Sequence, residues 1–109
     1  MTSKTNPISS VEFAKVLADS TRQEIMQLTC CDPMNVSEIV EAVGVSQPTV
    51  SHHLAILRDA GLVTVRSEGK NTYYELNQES VAVCCGKIME VLAPETEAAQ
   101  TFQESKKVM

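Results

Sequence analysis

The sequence predicts a mainly α-helical domain with one β-hairpin, in the element order α-α-α-α-β-β-α. Within residues 1–60, apolar residues recur at helical spacing behind four separate N-capping signals. Residues 62–67 and 72–76 are instead rich in β-branched and aromatic side chains, with a polar segment between them. A chain of 109 residues that is 43% hydrophobic has room for one such domain. At this size the core of a monomer is marginal, which favours dimerisation.

Composition excludes several classes of protein. No segment approaches the roughly 18 uninterrupted apolar residues of a membrane-spanning helix. The polar N-terminus lacks the apolar run of a signal peptide. We therefore expect a cytoplasmic protein that does not act at a membrane and whose four cysteines are thiols rather than a disulfide framework.

The charge distribution limits how the chain could bind nucleic acid. Its net charge is −5, and residues 46–76 hold three basic and three acidic groups. A protein that coats nucleic acid by bulk electrostatics would be far more basic. The aromatic fraction of 4%, without Trp, argues against a base-stacking platform. The neutral charge of residues 46–76 nevertheless permits a sequence-specific DNA-binding protein that makes few phosphate contacts.

The first two helices are predicted from their capping signals. Ser9 with Glu12 begins the first helix, and Ser20 with Gln23 begins the second. The second helix should end in the segment Cys30-Cys31-Asp32-Pro33, because proline lacks a backbone donor and restricts the residue before it.

The next two helices are separated by a tight turn. Asn35 with Glu38 predicts the start of the third helix, which Gly44 ends. Ser46 caps a fourth helix that accommodates a proline in its first turn and stops before Gly61. A β-hairpin formed by 62–67 and 72–76 follows. Asn77 then begins a last long helix that ends at Pro94.

The third helix, the turn and the fourth helix have the spacing of a helix-turn-helix. At 100° per residue, Val50, Leu54 and Leu57 fall within about 60° of one another and should face the core. His52 points the opposite way, near small hydroxyl side chains at the helix start. Such a surface fits the major groove of DNA, although two helices and a tight turn also occur in proteins that never bind DNA.

Several side chains on this face suit specific contacts. Gln47 can pair with adenine, and Thr49 and Ser51 can bond to a base edge or a phosphate. His53 should pack at the edge of the core, whereas Arg58 either contacts phosphate or pairs with a carboxylate. The hairpin would lie beside the duplex. The candidate DNA-contacting residues are Ser46, Gln47, Thr49, Ser51, His52, Arg58, Arg66 and Lys70.

The segments LADSTRQEIMQL (17–28) and VSEIVEAVGVSQPTVSHHLAILRDAGLVTVRSEGKNTYYEL (36–76) resemble the ArsR/SmtB family of winged-helix repressors. The resemblance implies a winged helix-turn-helix homodimer paired through its first and last helices. It further implies binding to palindromic double-stranded operator DNA, with release when an effector binds. Residues 1–94 would form this domain, and the polar tail 95–109 would extend as helix or be mobile.

Two departures from the family bear on the effector. The family's frequent Cys-Val-Cys site corresponds to Asn35-Val36-Ser37, so both thiols are missing. The zinc site that the family places in the last helix needs histidines, and this chain has none beyond His53. A zinc or cobalt sensor of that type is excluded.

Four cysteines remain as candidate metal ligands, in two adjacent pairs. Soft thiolates select thiophilic ions such as As(III), Sb(III), Cd(II) or Pb(II). Among these, the resemblance to arsenic-responsive family members implies As(III) or Sb(III) as the expected effector, with Cd(II) or Pb(II) as an alternative. Adjacent cysteines have Cα atoms about 3.8 Å apart, which is shorter than ordinary disulfides prefer. A disulfide within a pair would be strained, whereas both thiols could approach one ion. The pairs are Cys30 with Cys31 and Cys84 with Cys85, and the second resembles vicinal cysteines of arsenic-responsive family members.

Other interpretations stay open at this point. Cys84 and Cys85 lie on an apolar stripe with Val81 and Ile88, so both are also candidates for simple packing. The resemblance also implies a second alternative, a redox or persulfide sensor, because some relatives link one cysteine of the second helix to one of the last. The neutral charge of 46–76 is compatible with an adaptor that does not bind DNA. An enzyme is not expected, because nothing orients a Cys-His pair and no phosphate loop is present; no catalytic cofactor is implied.

Overall fold

The computed structural model describes residues 8–101 and confirms the predicted fold class. Helices form the body of the domain and a β-hairpin projects as the wing. The elements in chain order are α1 (Ser10–Leu17), α2 (Ser20–Thr29), β1 (Met34–Asn35), α3 (Val36–Val43), α4 (Gln47–Asp59), β2 (Val63–Glu68), β3 (Asn71–Leu76) and α5 (Gln78–Leu92).

Local capping sets most helix boundaries. Asn35 and Glu38 form the predicted capping box of α3, and Gly44 ends that helix in the left-handed conformation with φ 74°. The predicted cap of α2 is wrong by one residue. The side chain of Asp19, not Ser20, accepts the Arg22 N–H at 2.9 Å, and a carboxylate at a helix N-terminus also interacts favourably with the helix dipole.

The wing belongs to a three-stranded antiparallel sheet in the order β1-β3-β2. Glu68 pairs with Asn71, so the strands extend further than predicted and only Gly69 and Lys70 form the turn. The two-residue strand β1 was not predicted. It pairs Met34 with Tyr74 of β3 and so ties the start of α3 to the wing.

The core confirms the helical phase predicted for α4. Val50, Leu54 and Leu57 are at most 1% exposed. They pack with fully buried side chains from the other helices and from the segment before β2, namely Phe13, Ile25, Ile39 and Leu62. Because this side of α4 is buried, its opposite side faces outward.

The last helix contacts α1 and ends near the predicted proline. Beyond it, the Thr96 hydroxyl accepts the Ala99 N–H at 3.2 Å and residues 97–101 are helical, which is one of the two alternatives predicted for the tail. The rest of the tail, 102–109, lies outside the described residues. None of the helices within 8–101 combines the length and apolar character needed to cross a membrane.

Candidate nucleic-acid interface and cysteine pairs

The outward side of α4, its N-cap residue and the wing together present the side chains expected to contact DNA. All eight candidates, Ser46, Gln47, Thr49, Ser51, His52, Arg58, Arg66 and Lys70, are exposed. Ser46 is the N-cap residue of α4, but its hydroxyl does not cap the backbone and instead lies 3.0 Å from the Thr49 hydroxyl. The helix therefore starts with two linked hydroxyls and without a side chain covering its first backbone N–H groups, an arrangement suited to an anionic partner.

His53 lies on the inner side of the same helix, as predicted for a core-edge residue. It is 8% exposed, and its Nδ1 is 3.0 Å from Nη1 of Arg22. Its Nε2 lies 3.8 Å from the Asp19 carboxylate. Burial lowers the pKa of His53, and the nearby Asp19 charge opposes that shift only in part. His53 is therefore held mainly neutral, with Nδ1 available to accept from the guanidinium.

Arg22 connects three helices, which the sequence did not indicate. Its Nε donates to the Val16 carbonyl at 2.8 Å near the end of α1, while Nη1 reaches His53 in α4. The Arg22 backbone N–H donates to Asp19 and lowers the pKa of that carboxyl. The inner surface of α4 is thereby attached to the junction of α1 and α2.

The basic candidates are partly matched by neighbouring carboxylates. Arg58 lies 3.4 Å from Asp59, and Arg66 lies 3.3 Å from Glu68. Lys70 occupies the wing turn and takes part in no ion pair within the described range 8–101. Exposed ion pairs contribute only about 0–1 kcal/mol, so phosphate groups can displace them at little cost.

The first cysteine pair presents two sulfurs side by side. Cys30 is half-buried at the end of α2, Cys31 is exposed, and their sulfurs lie 2.8 Å apart. The hydrogen bond to Cys31 raises the pKa of Cys30, and burial and the Asp32 charge add to this shift. The Cys30 carbonyl accepts from Nε2 of Gln78 at 2.6 Å, which joins the end of α2 to the start of α5.

The second pair has two different environments. Cys84 is 3% exposed, whereas Cys85 is exposed. Burial raises the pKa of Cys84, and the nearby Lys87 charge opposes that shift only in part. Consecutive residues of a helix point about 100° apart, so only one of the two can face the α1 side. The packing interpretation fits Cys84 but not Cys85 within the protomer.

The two pairs do not form one cluster within the part of a protomer that the structure describes. Across residues 8–101, no three His, Cys, Asp or Glu side chains are grouped closely enough to hold a metal ion. A site that uses three of the four cysteines would need a rearrangement or thiols from a second protomer.

A hollow adjoins the first pair. It has a volume of about 330 Å³ and lies between the end of α1, one side of α2 and the end of β3. Its surface is mainly apolar, and Cys30 forms part of it. The lining residues are Leu17, Gln23, Met26, Gln27, Cys30 and Leu76.

Residues 19–65 match the family described as bacterial regulatory protein, arsR family. The chain is 35% identical over 93 residues to the arsenical resistance operon repressor of Escherichia coli strain K12, covering 84% of this chain and 80% of that protein. It is 43% identical over 63 residues to the arsenical resistance operon repressor of Staphylococcus aureus, covering 58% of this chain. That alignment spans 61% of the Staphylococcus repressor, about three fifths of its length.

The fold is also similar to a solution structure from Mycobacterium bovis. That structure is described as a homodimeric winged helix-turn-helix DNA-binding domain of a possible ArsR-family transcriptional regulator. It superposes with a TM-score of 0.62 at 28% identity, covering 80% of each chain.

Proposed function

Since the chain belongs to the arsR family of bacterial regulatory proteins, we propose that it is a homodimeric, DNA-binding transcriptional repressor. In this proposal α4 enters the major groove of a palindromic operator and the wing lies beside the duplex. A thiophilic effector bound by cysteine thiolates releases the DNA, with As(III) or Sb(III) as the expected ion. The family consists of regulators, which agrees with the prediction that the chain is not an enzyme.

One observation carries the DNA-binding proposal. The inner side of α4 is buried by Val50, Leu54 and Leu57, while Gln47 and His52 remain exposed on a helix that follows a tight turn. Both side chains carry donors and acceptors that can reach base edges, which apolar side chains at these two positions would lack. The DNA-binding domain from Mycobacterium bovis with a similar fold supports the same function.

Dimer formation is proposed from the terminal helices. Val11 of α1 is 62% exposed, and Val91 and Leu92 of α5 are 66% and 77% exposed. Large apolar side chains at these exposures lose contact with water when a second copy covers them. The two copies of α4 in such a dimer would enter successive major grooves, about 34–36 Å apart.

The effector proposal rests on four free thiols and on the arsenical-resistance names of the two relatives. A coupling of about 1–3 kcal/mol between effector and DNA is typical of allostery and would weaken DNA binding about 5–150-fold. Cd(II) or Pb(II) is the alternative within the same chemistry. A persulfide or oxidant is a second candidate, because the Gln78–Cys30 hydrogen bond joins the cysteine-bearing end of α2 to α5, the helix of the other pair.

The test is a titration of a labelled duplex from the protein's own promoter, read by fluorescence anisotropy. Reduced protein should bind the duplex with a salt-dependent affinity, and As(III) should release it. A variant with all four cysteines replaced by serine should bind DNA but not respond. Full release of that variant by As(III) would overturn the effector proposal, and release of the wild type by a persulfide alone would favour the redox sensor. Failure of the wild type to bind its promoter at low salt would favour an adaptor.

A further inference from the structure

We propose that Cys30, Cys31 and the adjoining hollow form a binding site for a trivalent arsenical that carries one organic substituent. The two sulfurs would bind the arsenic, and the organic group would occupy the hollow. This inference deepens the proposed function, since it names the class of effector and assigns it to one of the two cysteine pairs.

The number of sulfurs favours this class of ligand. Inorganic As(III) needs three thiolates to complete its coordination. Among the residues the structure describes, however, no third His, Cys, Asp or Glu side chain lies close enough to Cys30 and Cys31 to complete a metal site. An organic arsenical already has one carbon on arsenic and needs only two sulfurs. The Cys30 and Cys31 sulfurs lie 2.8 Å apart. A small outward movement of the two thiols would therefore let both bind one pyramidal arsenic, whereas a linear ion needs its two ligands on opposite sides.

The second pair lacks these features. One sulfur, that of Cys84, is buried and the other, that of Cys85, is exposed, so the pair does not present two thiols to the same space. The hollow is lined by Cys30 and by neither cysteine of α5. The structure therefore distinguishes the pairs, which the sequence alone does not.

The hollow supplies a place for the organic group. Its volume of about 330 Å³ is at the lower end of the range typical for small-molecule sites. Leu17, Met26 and Leu76 provide apolar contacts, and the Gln23 side chain is already engaged with the Leu17 carbonyl at 2.7 Å. An inorganic ion would gain no binding energy from these apolar side chains. An aryl or alkyl group would bury its apolar surface against them when it entered the hollow.

The binding step needs no oxidant or reductant. An organic arsenous acid, R–As(OH)₂, exchanges its two hydroxyl groups for the two sulfurs. Two As–S bonds form, two As–O bonds break, and the thiol protons leave with the hydroxyl groups as two water molecules. Arsenic stays trivalent and the carbon–arsenic bond stays intact.

The position of the site connects it to the helices proposed for dimerisation. Leu17 is the last residue of α1, and Gln78 of α5 donates to the Cys30 carbonyl. An occupant that shifts Cys30 therefore acts on both terminal helices. Release of DNA requires only that the bound state favour a different arrangement of the dimer.

The experiment compares phenylarsine oxide with sodium arsenite on reduced, full-length protein. Native mass spectrometry measures the adduct directly, so its result does not depend on DNA binding. We expect one phenylarsenic per protomer, bound about tenfold or more tighter than arsenite, a difference of about 1.4 kcal/mol. Cys30→Ser/Cys31→Ser should lose the adduct, while Cys84→Ala/Cys85→Ser should retain it, with circular dichroism confirming that both variants fold.

A substitution in the hollow tests the organic group separately from the sulfurs. Gln27 is exposed and lines the hollow, so Gln27→Trp should fill it without altering the core. This variant should lose the preference for phenylarsine oxide and keep its arsenite affinity, while Gln27→Ala should keep both. Equal affinities for the two arsenicals in wild-type protein, or an adduct that depends on Cys84 and Cys85, would overturn the inference. If the protein forms an adduct at Cys30 and Cys31 but never binds its promoter, the arsenical site is supported and the proposed repressor function is refuted.

Discussion

Nη1 of Arg22 lies 3.0 Å from Nδ1 of His53, so a residue at the start of α2 is joined to the inner side of α4. A guanidinium has no acceptor, so this hydrogen bond requires that Nδ1 of His53 carry no proton. The next residue toward the N-terminus, His52, is exposed on the side proposed to contact DNA. Protonation of His53 would place two cations against each other directly behind that surface.

The folded protein should lose stability as the pH falls below the ordinary pKa of histidine, about 6.5. Since burial lowers the pKa of His53, the unfolded chain binds a proton in this window that the folded chain does not. The contribution of His53 to the free energy of unfolding is therefore fully present above that pH and declines below it. Urea unfolding between pH 7.5 and 5.5 measures the effect, a range that lies above the titration of Asp19, whose pKa is lowered.

His53→Gln should flatten this pH dependence, because an amide oxygen still accepts from Arg22 but does not titrate. His52→Gln removes the neighbouring imidazole and should retain the contribution of His53. Equal slopes for wild type and His53→Gln would show that the buried imidazole does not cause the pH dependence.

Gln47→Ala and His52→Ala should each weaken specific operator binding by about 1–3 kcal/mol, the usual cost of losing a good base contact. Both side chains are exposed, so the melting temperature should not change. Anisotropy titrations at fixed salt, with a scrambled duplex as the control, measure the loss. Unchanged operator affinity in both variants would remove these residues from the proposed reading surface.

Leu54→Ala should instead destabilise the fold by about 2–5 kcal/mol, because it leaves a cavity in a fully packed core. The Leu54 side chain is 1% exposed. Denaturant unfolding monitored by circular dichroism gives the free energy. A variant as stable as wild type would mean that α4 is rotated from the orientation described above.

Val91→Glu combined with Leu92→Glu should convert the proposed dimer into monomers. Burying each of these side chains in an interface is worth about 1.5–3 kcal/mol, and the substitution adds two charges at the same place. Both lie at the exposed end of α5, whereas Ile88 packs against the core and its replacement would also affect folding. Sedimentation velocity at micromolar concentration measures the change, with Ser37→Glu on the exposed side of α3 as the charge control. Wild-type protein that sediments as a monomer would contradict the assembly.

Iodoacetamide should modify Cys31 of the native protein at least about tenfold faster than Cys84. The thiolate is the reactive form of cysteine. Cys84 is buried and its pKa is raised, so its thiolate is both less populated and less accessible. Peptide mass spectrometry of timed samples measures both rates, and the difference should disappear in denaturant. Equal rates in the native protein would mean that α5 does not pack as described.

Local signals account for the elements that were predicted correctly. The Asn35–Glu38 capping box and the left-handed Gly44 involve residues within one or two helical turns, so their consequences can be worked out without the rest of the chain. The phase of α4 follows in the same way from three apolar residues on one side of a helix. The Asp19 cap was missed because Ser20 is an equally good capping residue by type, and backbone geometry decides between them.

Strand β1 could not be predicted, because two residues have no periodicity. It exists only because Tyr73 and Tyr74 of β3 are alongside to pair with it. The partnership of Arg22 with His53 also joins residues far apart in the chain, and no local pattern indicates it.

The sequence by itself determined most of the helix boundaries, the buried and exposed sides of α4, and the presence of two vicinal cysteine pairs, because each depends on residues near one another in the chain. The tertiary structure decided how the pairs differ. Cys30 and Cys31 adjoin a hollow made by α1, α2 and β3, whereas Cys84 is buried and Cys85 is not. The physical reason is that a thiol's solvation and its neighbours depend on which surfaces pack around it, and adjacent residues of one sequence motif can lie on different sides of a helix.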